Sequence, residues 1–203
     1  MMRIAFRQML LVTVITALLM PVMEGTASSH GMEGLSEAGC TCHGENPGEG
    51  VEVVIDGLPT TYTAGQSYEL EVSLRGGPAA ATQGHQGGFN LKASSGTLAP
   101  LDASTHVIKS GEITHEHSGA NQRSWTVVWE APLDDKTVEF TVAGNVVDGD
   151  HEPTDGDDWA LASYTASGEP LTFGERLMLH LPKIIAGLLF AVPLLYLWNT
   201  NRR

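Results

Sequence analysis

Between residues 51 and 142 the chain repeats one pattern that few architectures satisfy. Val51–Ile55 is a short β-branched run. Tyr68, Leu70, Val72 and Leu74 then alternate with polar neighbours, as do Phe89, Leu91 and Ala93, then Trp125, Val127 and Trp129, then Val138, Phe140 and Val142. A period of two buries one face of a strand and wets the other. Turn signals separate the runs at Asp56-Gly57, Ala64-Gly65, Gly76-Gly77-Pro78, Ser95-Gly96, Ser118-Gly119 and Ala131-Pro132. Many short alternating strands with such turns predict an all-β, antiparallel β-sandwich over residues 51–170. Trp125 and Trp129 share a strand face and are expected in its core; a carbohydrate-binding platform is the alternative.

Two apolar runs bracket this region. Arg3 and Arg7 precede Met9–Met20, Pro21 breaks the run, and small residues follow from Gly25 to Ser29. That order reads as a signal peptide over residues 1–29. The second run, residues 177–198, is 22 residues long. At about 1.5 Å per residue it reaches roughly 33 Å, enough for one transmembrane helix. His180 and Lys183 can snorkel to one interface, and Tyr196 and Trp198 suit the other. The reading is a single-pass protein of the cell membrane, its domain outside the cytoplasm and residues 199–203 as a cytoplasmic tail.

From Ser28 to Glu175 there are 23 acidic side chains and five basic ones, a net charge of −18. Such a field repels nucleic acid and anionic lipid and favours cationic partners or metal ions, with a purely solvating role as the alternative. There is no GxSxG, HExxH, P-loop or GxGxxG, so an electron carrier or a binding module is expected rather than a hydrolase or transferase.

Residues 30–50 read as a loop that carries both cysteines, Cys40 and Cys42, directly before His43. Thiols this close staple nothing distant, so their purpose is local. Three chemistries suit Cys40-Thr41-Cys42-His43. A c-type haem uses two thiols for thioethers and the next histidine as iron ligand, usually as C-x-x-C-H; here one spacer is missing. A Cys40–Cys42 disulfide would be strained and easily reduced. Thiolates with imidazole also suit copper or zinc.

The stretch from about Gly39 to Trp159 resembles the reelin-type (Reeler-like) domain family, in particular the choice-of-anchor V group. The matching pieces are the Cys-x-Cys-His of residues 40–43, Tyr62-x-x-Gly65-x-x-Tyr68, Gly87-Gly88-Phe89-x-Leu91, Ile113-Thr114-His115, Trp125-x-x-x-Trp129-x-Ala131-Pro132, and Val138-x-Phe140 followed by Gly144-Asn145. The resemblance implies an immunoglobulin-like sandwich, export, anchoring and a cysteine-histidine motif near the domain start. It implies no activity, since a fold hosts many functions.

His115 and His117 lie two apart, on one face if their segment is a strand. Either could serve as a distal iron ligand opposite His43, with His115 ranked first because it fits the family position; the two together could hold a transition metal. His85 is a weaker candidate. Residues 148–158 are rich in carboxylates, and Asp148, Asp150, Asp155 and Asp157 could surround calcium, although the spacing departs from an EF-hand. The leading functional expectation is a tethered monohaem c-type electron-transfer module with an unknown redox partner. The alternative is a surface binding or adhesion module.

Overall fold

The computed structural model describes residues 31–43, 47–79, 84–108, 111–150 and 156–200, without the side chains of residues 43, 196, 197 and 200. The expected signal peptide, Asp155 and residues 201–203 of the expected tail lie outside the described residues, whereas Asn199 and Thr200 continue the C-terminal helix.

Among the described residues, ten strands form two sheets. β1 (Val51–Asp56), β3 (Ser67–Gly76), β8 (Ser124–Glu130) and β5 (Thr97–Pro100) make a four-stranded sheet in the order β1-β3-β8-β5. β2 (Thr61–Tyr62), β10 (Asp158–Gly168), β9 (Val138–Val146), β4 (Gly87–Ala93), β7 (Ile113–His115) and β6 (Thr105–Val107) make a six-stranded sheet in that order. The result is the expected immunoglobulin-like β-sandwich, with one departure from pure antiparallel pairing: β2 runs parallel to the end of β10, Thr61 beside Ser167.

The alternating residues meet between the sheets. Leu70, Val72, Trp125, Val127 and Trp129 of one sheet face Phe89, Leu91, Val138, Phe140 and Val142 of the other. Trp129 is fully buried. Its ring meets Tyr62 edge-on at 5.3 Å and Phe140 edge-on at 4.9 Å, and it stacks on Tyr68 at 5.7 Å. A buried indole must place its N–H, and both do: Trp125 donates to the Gly119 carbonyl at 2.9 Å and Trp129 to Ser95 at 3.1 Å. Both tryptophans are core residues, so no tryptophan platform exists on that face.

Residues 30–50 are not all loop. They contain a one-turn helix, α1 (Leu35–Ala38), and a 3₁₀ turn over Thr41–His43. The C-terminal helix α2 spans Phe173–Thr200, beginning four residues before the expected span. Its start is a capping box. Thr172 N–H and Oγ1 donate to Glu175 Oε2 at 2.8 and 2.6 Å, and Glu175 N–H donates back to Thr172 Oγ1 at 3.4 Å. The apolar stretch Phe173–Leu195 is long enough to cross a membrane, and none of its most apolar window is buried in the protein.

Candidate functional site

The segment Gly31–Cys40 lies as a strap on the six-stranded sheet, on the side away from the main core. Its path is fixed by polar groups of strands β4 and β7 and of Glu112, which directly precedes β7. Gly31 N–H donates to the His115 carbonyl at 3.3 Å. Asn90 Nδ2 donates to the Met32 carbonyl at 2.7 Å, and Asn90 Oδ1 accepts from Ser36 N–H at 3.1 Å. Glu112, only 2% exposed, accepts from Gly34 N–H at 2.8 Å. Lys92 pairs with Glu37 at 2.6 Å. Asn90 and Glu112 are the residues that sequence reasoning missed. For Asn90 the one visible signal is a polar residue between Phe89 and Leu91; Glu112, in a polar segment just before β7, carries none.

The strap ends on Trp159. Cys40 joins Ala143 and Trp159 in a small second cluster, with Leu35 at its margin. Gly39 makes this possible: its φ is +81°, and a Cβ there would lie 2.1 Å from the Trp159 ring. After the motif, Gly48 N–H donates to the Trp159 carbonyl at 2.9 Å. The Cys-Thr-Cys-His segment is thus tied to Trp159 on both sides.

The two thiols meet different surroundings. Cys40 is 6% exposed, whereas Cys42 is exposed. Burial, and secondarily the neighbouring Cys42, pushes the Cys40 thiol up to about 12. Both thiols are free. A doubly attached haem needs both sulfurs as thioethers, and Cys40 faces protein rather than solvent. The residues as placed therefore do not fit two attachments. The His43 side chain lies outside the described residues.

The histidines part company. Strand β7 ends at His115, so His117 begins a 3₁₀ turn instead of sharing a strand face with it. His115 is buried and completes the sheet where the β7 ladder stops. Phe89 N–H donates to His115 Nδ1 at 3.2 Å, while Thr114 Oγ1 donates to the Phe89 carbonyl at 2.6 Å. The ring also lies so close over Gly88 that a Cβ there would sit 2.3 Å from it. His117 meets His85 edge-to-face, centroids 5.1 Å apart.

In the acidic loop, carboxylates bond their own backbone. Asp157, buried, accepts from Asp148 N–H at 3.2 Å, and Asp148 accepts from Asp150 N–H at 3.0 Å. Among the described residues no three or more His, Cys, Asp or Glu side chains converge as a metal site.

No family model matches the chain, and no curated protein matches it. Among solved structures it is similar to the Reelin-N domain of F-spondin, at 16% identity and a TM-score of 0.40, over 61% of this chain and 89% of that one. It is also similar to a conjugative transposon lipoprotein from Bacteroides eggerthii, at 12% and 0.35, over 59% and 98%. A chain of a type I cohesin–dockerin complex from Clostridium thermocellum matches at 12% and 0.38, over 62% and 99%. These likenesses are of strand architecture alone.

Proposed function

We propose that the chain is a single-pass, extracytoplasmic binding module of the cell surface: a rigid sandwich on a membrane helix, presenting the strap and Cys42 to a surface partner. The observation that carries this reading is the junction between sandwich and helix. Strand β10 ends at Gly168, and the capped helix starts at Phe173. Arg176 ties the two together by pairing with Asp135 at 2.7 Å. The helix beyond exposes Ile184, Leu188, Phe190 and Leu194, an apolar surface that lipid would cover. Membership of the choice-of-anchor V group, suggested by the order of the motifs, belongs to the same proposal.

A monohaem reading is favoured by one observation, the exposed Cys42 directly before His43. It reduces to a single attachment through Cys42. The experiment that separates the readings is the intact mass and visible spectrum of the chain made in a host that matures c-type cytochromes. The binding-module reading expects the bare polypeptide and no Soret band. One acid-stable haem, lost in Cys42→Ser and kept in Cys40→Ser, would establish the other.

A further inference from the structure

We infer that the junction between the sandwich and the helix is a binding site for the phosphate of an anionic phospholipid, centred on Lys183. The inference rests on the reading of α2 as a membrane anchor. An open cleft of about 310 Å³ lies between the loop 132–136 and the first turns of α2. Arg176, Leu179, His180 and Lys183 all line it. Their spacing of three, four and seven residues places them on one helix face.

The opposite wall is held rigidly. The buried Tyr62 donates its hydroxyl to the carbonyls of Asp134 and Lys136, so the core itself positions the loop. Asp135 accepts from Leu171 N–H at 3.3 Å as well as pairing with Arg176, which also donates to the Leu171 carbonyl at 3.2 Å. Lys136 pairs with Asp134 at 3.2 Å. Each of those cations therefore has its carboxylate. Lys183 lines the same cleft with no carboxylate partner among the described residues.

Position supplies the ligand class. Lys183 lies in the first turns of the apolar span, one residue before its uninterrupted part begins at Ile184, so its ammonium snorkels to the boundary between water and hydrocarbon, the depth of lipid phosphates. Leu133, 66% exposed on the cleft loop, and Leu179 offer apolar surface beside it. The domain as a whole is strongly acidic and repels an anionic bilayer. A cationic cleft at this one level gives a single anionic lipid a place beneath that field.

Native mass spectrometry of the full chain, released from detergent with phosphatidylglycerol and phosphatidylcholine supplied equally, tests this. Phosphatidylglycerol adducts should exceed phosphatidylcholine adducts. Lys183→Gln should weaken the anionic adduct about fivefold, the worth of one lysine at an anionic surface, and Lys183→Arg should keep it. Equal retention of the two lipids, or Lys183→Gln indistinguishable from the unaltered chain, would overturn the inference. Flotation with vesicles separates this from failure of the anchor. A chain that floats with both vesicle types but shows no preference fails only here, whereas one that floats with neither fails as a membrane protein too.

Discussion

Cys40 is buried against Trp159, while Cys42, two residues on, is exposed. Alkylation should divide them. In the folded chain at neutral pH, iodoacetamide should modify Cys42 and leave Cys40 intact. A thiol held at about 12 instead of its ordinary value of about 8.5 presents more than a thousandfold less thiolate. Peptide mapping after timed quenching reads the ratio; equal rates would mean that the strap does not rest on Trp159.

The same contact makes Gly39 sensitive. Gly39→Ala forces both a left-handed backbone and a clash with the Trp159 ring, and should cost about 1–3 kcal/mol. The strap should lift before the sandwich unfolds. Denaturant midpoints give the cost, and Cys40 should become alkylatable while the far-ultraviolet dichroism stays β-type.

Alkaline stability follows from the raised Cys40 thiol. The unfolded chain releases this proton near its ordinary value, about 8.5, and the folded chain only near 12. The folded state thus binds more protons across that window, and stability falls as pH rises through it. Urea midpoints should decline from about pH 8.5 upward, and Cys40→Ala should flatten that slope relative to the unaltered chain. An identical slope in both would contradict the burial.

Trp129→Ala should lose about 3–5 kcal/mol, the usual cost of deleting a large buried aromatic. Tyr62, Tyr68 and Phe140 all lose a ring contact. A loss under about 0.5 kcal/mol, the scale of surface substitutions, would place Trp129 on the surface and revive a glycan platform.

The main strands were legible because Val, Leu, Phe and Trp alternate visibly in β1, β3, β4, β8 and β9. β10 was not, although it pairs with β9 along nine residues. Its inward positions include Ala160, Ala162 and Ala166, and alanine alternating with serine and threonine carries little hydropathy contrast. The helix start was hidden for the opposite reason: the strong apolar run from residue 177 outweighs the polar Thr172-x-x-Glu175 box one turn upstream. At the candidate site, the cysteine-histidine cluster stood out by residue type. The division between its thiols did not, because it depends on Trp159, more than a hundred residues away in sequence. His115 and His117 looked paired only on the assumption that β7 continued past His115.

A membrane-anchored module of the proposed kind displays Cys42 outside the cytoplasm. Intact cells producing the full chain should be treated with a membrane-impermeant maleimide and then fractionated. Membrane-bound protein carrying one maleimide on Cys42, with no further added mass, is the expected result. Labelling that occurs only after lysis, or labelled full-length chain in the soluble fraction, would contradict it.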